Sequence, residues 1–270
     1  MKPTFKDKFQ ITFILGILIT FVLGLVIYMV STTISHINSN STTTTTAVSH
    51  ASSVNTSQIQ NSPTTSQLST VKSAAQQHLG NNISVKNNII YINNNHPTIH
   101  IPKSASSNVE SHKNTTTVTF KTKNITSISE IKTATNDKKV IPNGWHQMDK
   151  LPGKYTTAYT KSLLISPSMI NHLSFNTNQK NNVVTMTTWT NKQYTSNLKS
   201  ILTNLKKNNI AKYQVQPIYN NHNDAVATGF HIQVVSTNSN LDQNIVIPNV
   251  QGNIDIDYSS GKITQKTDKY

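Results

Sequence analysis

The sequence predicts an α+β domain, built on a mixed or antiparallel sheet and preceded by one transmembrane helix. Three observations point there. A charge-free apolar run lies near the N-terminus, and a Ser/Thr/Asn-rich stretch without period follows it. Beyond residue 80, short β-like segments surround one amphipathic helical stripe.

The apolar run is ITFILGILITFVLGLVIYMV, residues 11–30. About 20 uncharged residues is the length a helix needs to cross a hydrocarbon core of ~30 Å. Lys2, Lys6 and Lys8 precede it, and no charged side chain follows until Lys72. The positive-inside rule then makes 1–10 a cytoplasmic tail and exports the rest to the cell surface. A cleaved signal peptide is the competing reading. It calls for a shorter apolar region and a small-x-small cleavage site, whereas this run continues through Tyr28 and Met29.

Residues 31–80 are mostly Ser, Thr and Asn, including the run Thr42 to Thr46. They cannot bury enough apolar surface to offset chain entropy, so a disordered spacer is expected. Within it, Leu68 to Leu79 suit a short helix ended by Gly80.

The outer domain is assigned to residues 81–270. Residues 89–101 (IIYINNNHPTIHI) alternate around an Asn-rich turn and predict a hairpin. TTVTF at 116–120 predicts a strand, and 127–134 one or two helical turns. Residues 144–154 form a loop rich in Gly and Pro, and 162–165 and 183–188 short strands or buried loop. Tyr194, Leu198, Ile201, Leu202 and Leu205 make one helical stripe. Lys206 and Lys207 near its end suit the helix dipole. Three strands follow: Tyr213–Tyr219, a second with Val226, Phe230, Ile232 and Val234 on one face, and a third with Ile254, Ile256 and Tyr258. Asp255 and Asp257 alternate with that third set, as on an exposed face. Gln243–Ile247 suits another strand, stopped by Pro248.

Composition narrows the partners. The chain of 270 residues has a formal net charge of +14, with 35% hydrophobic and 13% charged residues. There is no arginine, so lysine carries the positive charge. The Asn, Lys and Ile excess is what an AT-biased coding sequence gives. From residue 81 onward 20 lysines face 9 acids, a balance that attracts polyanions: nucleic acid, wall polymers or anionic lipid. The absence of cysteine excludes disulfides and thiolate metal sites and suits a bacterial surface. No Gly-rich phosphate loop, Ser-His-Asp arrangement or zinc spacing is present.

The run Pro142-Asn143-Gly144-Trp145-His146-Gln147 resembles the segment that opens the nuclease core of bacterial DNA-entry nucleases. These belong to the DNA/RNA non-specific endonucleases, which have a ββα-metal core. Four more stretches are similar to that family in the same order: Tyr91 to Pro97, Lys212 to Tyr219, Val226 to Phe230 and Ile254 to Gly261. The resemblance covers about 88–263. It implies a ββα core, a nucleic-acid partner and a divalent cofactor such as Mg²⁺.

The catalytic motif departs from the family. Where the family carries Asp or Asn, Arg, Gly or Ser, His, Leu, Ile, this chain has Thr160-Lys161-Ser162-Leu163-Leu164-Ile165. The family's His takes a proton from the attacking water; Leu163 cannot. Losing such a base costs about 10²–10⁴-fold. The resemblance places the family's metal-binding Asn at Asn191, with a second polar Asn at Asn182. An amide oxygen with waters suits a hard cation. The alternative makes Asn191 a helix N-cap and Asn182 a turn residue. The family's helix Glu falls on Leu198 or Lys199, and no Asp or Glu occurs between Asp149 and Asp224. His172 is the one nearby candidate to replace the base. Lys161, Lys199 and His146 are the candidate phosphate contacts, although Lys161 lacks arginine's bidentate fork. His146 packing on Trp145 is the simpler role for that residue.

Three functions remain in play. The first is a surface nuclease fold with catalysis lost or reduced, which retains polyanion binding. The second is an active metal-dependent endonuclease with a rearranged site, and the third a structural or adhesive module.

Overall fold

A computed structural model describes residues 62–103, 106–112, 115–121, 131–170, 173–205, 210–237 and 241–266. The expected cytoplasmic tail, the transmembrane run and the linker up to residue 61 lie outside the described residues. So do Lys206, Lys207, His172 and 127–130. Among the described residues no helix is long and apolar enough to cross a membrane.

Helix α1 spans Thr65–Leu79. Composition had placed these residues in the spacer, but a capping box nucleates them. Gln67 N–H donates to Thr64 Oγ1 and Thr64 N–H to Gln67 Oε1. Val71, Ala74 and Ala75 form a small apolar stripe that is fully buried, and Gly80 ends the helix at φ 87°. The expected helix within the spacer thus packs on the domain's core.

Strands β1 (Ile83–Lys86) and β2 (Ile89–Ile92) form a hairpin. Its two-residue turn is Asn87-Asn88, both at positive φ (53° and 63°), which Asn tolerates better than other side chains. The predicted hairpin at 89–101 is thus displaced toward the N-terminus. Asn93–Asn95 form a tight 3₁₀ turn instead, and no strand follows in 96–101.

β3 (Asn108–His112), β4 (Thr115–Lys121), β7 (Ile210–Ile218), β8 (Gly229–Ser236) and β9 (Gln243–Pro248) complete a seven-stranded sheet. Its order is β1-β2-β9-β8-β7-β4-β3 with every pair antiparallel. Apart from this sheet, β5 (Tyr159–Leu163) pairs with β6 (Val183–Thr187), and β6 runs directly into α2 (Thr188–Asn204). A short ladder of β10 (Ile254–Ile256) and β11 (Ile263–Gln265) closes the chain.

Two cores hold the sheet from opposite faces. Tyr194, Leu198, Ile201 and Leu202 of α2 pack on Tyr213, Val215, Phe230, Ile232, Val234, Ile245 and Ile247. Val246 lies between Ile245 and Ile247 and so points the other way. With Ile90 and Ile92 it covers α1. Val226, assigned by pattern to β8, precedes that strand, and Tyr258 lies beyond β10. Residues 131–134 are not helical, and Ala134 forms an isolated antiparallel bridge with Ser162.

Candidate functional site

β5, β6 and α2 form a ββα unit, and its hydrogen bonds show which side chains can do chemistry. Successive residues of β5 alternate between faces. Thr160 and Ser162 turn toward α2: Thr160 Oγ1 lies 3.4 Å from Thr188 Oγ1, and Asn191 Nδ2 donates to Ser162 Oγ at 2.8 Å. Lys161 and Leu163 therefore face the other way. The free edge of β5 is covered by residues 133–135, where Thr135 N–H donates to Lys161 O and Leu163 N–H to Thr133 O.

Leu163, at the position of the family's base, is 2% exposed. Asn182 is 1% exposed, and every polar atom of its amide is engaged. Its Oδ1 accepts from Ile165 N–H at 2.8 Å, and its Nδ2 donates to Ile165 O and Thr177 O at 3.0 and 2.8 Å. Asn182 thus clasps the loop between β5 and β6, with its oxygen bonded to Ile165 N–H and buried away from solvent. Spacing placed it near Asn191 as an expected metal ligand; burial gives its amide backbone partners.

Asn191 lies in the first turn of α2 and is not its N-cap. Thr187 is the cap, accepting from Thr190 N–H at 3.0 Å. Asn191 Nδ2 donates to Thr133 O as well as to Ser162 Oγ. Thr133 Oγ1 is in turn bonded to Thr195 Oγ1. Only the amide oxygen of Asn191 could meet a cation. Among the described residues no cluster of three His, Cys, Asp or Glu could hold a metal. At Asn191 the protein would supply one neutral amide oxygen, and waters would have to complete the coordination of a hard cation.

Lys161 is half-buried. Its ammonium donates to Val140 O at 2.8 Å and Asp137 O at 3.2 Å, and lies 5.5 Å from the Trp145 ring centroid. Trp145 in turn meets Tyr159, with ring centroids 6.3 Å apart, so the partner expected for His146 is taken by Tyr159. His146 is exposed and borders a separate shallow cleft with Met148, Lys262 and Thr264. Lys199 is exposed on the third turn of α2, beside the buried Leu198. The predicted phosphate contacts thus do not converge; Lys161 alone lies in a developed cleft, with Trp145.

The segment carrying Trp145 is fixed from below. Gly144 and Gly261 adopt positive φ (63° and 82°) and pack backbone to backbone; a Cβ on Gly261 would lie 2.1 Å from Gly144 O. Tyr159 Oη donates to Gly261 O at 3.1 Å. Burial, reinforced by the Asp257 charge, raises the Tyr159 pKa well above the usual phenol value and keeps it a neutral donor. Two stretches singled out by resemblance, 142–147 and 254–261, therefore meet in space. Asp255 pairs with Lys266 at 3.0 Å, and Asp257 accepts from Ser259 and Ser260; both remain exposed, as expected.

The residue that sequence reasoning missed is Asn249. It is fully buried and joins the ββα unit to the sheet: Thr187 N–H donates to its Oδ1 at 2.9 Å, and its Nδ2 donates to Thr185 O and Ala227 O at 3.1 and 2.8 Å. Its only sequence signal is a polar residue between the apolar runs IVIP and V.

No family model matches the chain. Among solved structures, NucA from Streptococcus agalactiae with a bound magnesium ion is similar over 72% of this chain and 96% of that one, at 24% identity and a TM-score of 0.61. The metal-free form of the same protein aligns over 72% and 95%, at 24% identity and a TM-score of 0.60. The fold of this chain is therefore a non-specific endonuclease-like fold, similar to that of NucA.

Proposed function

We propose that the folded domain is a surface-displayed polyanion receptor on a nuclease fold, binding nucleic acid without cleaving it. The observation that carries this reading is the ββα unit: β5, β6 and α2 are formed, while the base position is a buried leucine and the buried Asn182 amide is bonded to backbone groups. NucA is seen with magnesium; here the only counterpart ligand offered is the Asn191 amide oxygen, and no step is derived through a metal. Binding is supported by charge. The chain carries +14, and among the described residues a single ion pair, Lys266–Asp255, neutralises a lysine. In this proposal the apolar run at 11–30 anchors the chain, with the three lysines before it kept inside.

The test uses the full chain in neutral detergent with plasmid, linear duplex and single-stranded DNA in Mg²⁺ and Mn²⁺. Binding that weakens steeply with salt, without nicking, is expected. Metal-dependent cleavage abolished by Asn191→Ala would overturn the reading. Absence of any nucleic-acid binding at low salt would favour the structural or adhesive module.

A further inference from the structure

The cleft beside β5 has a lining that bulk charge does not require. It encloses about 490 Å³ and is bordered by Thr135, Asn136, Lys138, Trp145, Gln147, Tyr159, Thr160 and Lys161. That volume lies in the range of small-ligand sites. Its border combines two lysines, two amides, the Thr135 hydroxyl and two aromatic rings, with no carboxylate side chain; the Thr160 hydroxyl turns to Thr188 on the other face of β5. A site for phosphate alone needs only cations and N–H groups. A nucleotide needs all four: cations for its phosphate, hydroxyls for its sugar, amides for the base edge and a ring against the base face.

We propose that this cleft takes one nucleotide of a single-stranded nucleic acid, with Lys138 and Lys161 on the phosphate and Trp145 and Gln147 on the base. The proposal rests on the polyanion-binding reading above and names its site and strand preference. A base paired within a duplex cannot enter a concave site of this size without leaving its stack. The site is also preordered. The Lys161 ammonium is held by Val140 O and Asp137 O and sits over Trp145. The Gly144–Gly261 contact fixes the segment that carries the indole. Gln147 Oε1 accepts from Tyr159 N–H at 3.3 Å, which leaves its amide N–H₂ to donate to a base.

The experiment titrates the full chain with octathymidylate, a duplex of equal length and sodium polyphosphate, following anisotropy of labelled oligonucleotide and intrinsic tryptophan fluorescence. The chain has two tryptophans, and Trp189 is buried in the α1 core, so quenching by a ligand reports Trp145. Octathymidylate is expected to quench. Trp145→Ala is expected to weaken its binding on the order of ten-fold, to change duplex binding less than two-fold and to abolish the quench. Lys138→Ala, at an exposed position that does not threaten the fold, is expected to lower the salt slope for octathymidylate by about 1. Salt-dependent binding of all three polymers without quenching, or equal losses for strand and duplex, would overturn the site and leave the general reading standing. Equal quenching by polyphosphate would overturn the nucleotide assignment. Binding of none of them would overturn both.

Discussion

Two sets of asparagines around the ββα unit share a residue type and do different work. Asn182, just before β6, and Asn249, bonded to β6 and the α2 cap, are buried and spend every amide atom on backbone groups. Near the start of α2, Asn191 is only half-buried, and its amide nitrogen is shared between Thr133 and Ser162. The first arrangement fixes geometry. The second stands where the resemblance puts chemistry, yet it holds only amides and hydroxyls. These neutral groups donate and accept hydrogen bonds well, but they neither take a proton from water near neutral pH nor neutralise a cation. A scaffold survives replacement by such residues because hydrogen bonding and packing are all it needs. Hydrolysis in the proposed reading does not, because it needs a base and a held cation.

The largest expected effect breaks this comparison if it fails. The full chain should leave plasmid DNA uncut in Mg²⁺ and Mn²⁺ under conditions where an active endonuclease degrades it. Leu163→His should not restore cutting. The side chain at 163 points into a buried site on the face of β5 opposite Asn191, and among the described residues no cluster of His, Cys, Asp or Glu could hold a metal. A base on the face opposite Asn191 should recover none of the roughly 10²–10⁴-fold that a positioned base contributes. Recovery in a gel assay would show that the two positions do converge.

Asn182→Ala comes next. It leaves Ile165 N–H, Ile165 O and Thr177 O without their partner in a water-excluded loop. A loss of about 3 kcal/mol or more is expected in urea unfolding. Asn182→Asp should be no milder at neutral pH, because a carboxylate cannot donate to Ile165 O or Thr177 O and its charge is buried. A loss below about 1 kcal/mol would mean that water reaches the loop and that the amide is free for another role.

Gly261→Ala should cost about 2–4 kcal/mol, since the added methyl collides with the Gly144 backbone and φ is positive. Its effect also sharpens the comparison from the cleft side. The same shift should displace Trp145, so nucleic-acid affinity and stability should fall together. Loss of stability with unchanged affinity would separate the cleft from the glycine contact.

Much of the scaffold was legible in the sequence, for physical reasons that also explain the misses. The α2 stripe from Tyr194 to Leu205 and the alternation in β8 are strong because one face of each is buried in the same core. Helix α1 was expected from Leu68 to Gly80; its first turn was hidden by Ser, Thr and Gln, and its start is marked by the capping box at Thr64 and Gln67. The first hairpin was displaced because Asn-rich turns stand at both 87–88 and 93–95, and composition cannot choose between them. At the site, residue identity showed that His, Arg and Glu were missing. Whether a retained Asn is a clasp or an exposed group depends on burial, which spacing does not encode. The cleft at Trp145 depends on residues 135–138, 145–147 and 159–161 meeting in space, and no local pattern announces that meeting.

The smallest expected effect is the most diagnostic. Asn191→Ala removes hydrogen bonds to Thr133 O and Ser162 Oγ, but the residue is half-exposed and water can replace the amide. A loss of about 1 kcal/mol is expected, at least two-fold smaller than for Asn182→Ala in the same unfolding experiment. Thr133 O also accepts from Leu163 N–H, so the segment at 133–135 should stay docked on β5, and its amide protons should keep their exchange protection. If Asn191→Ala instead costs as much as Asn182→Ala, the start of α2 is scaffold throughout, and the position has exchanged chemistry for structure. If it costs little but added Mg²⁺ stabilises the wild type and not the variant, the amide oxygen still holds a cation. The fold then keeps half of a metal site, and the boundary between scaffold and chemistry lies one residue inside α2 from where burial alone would draw it.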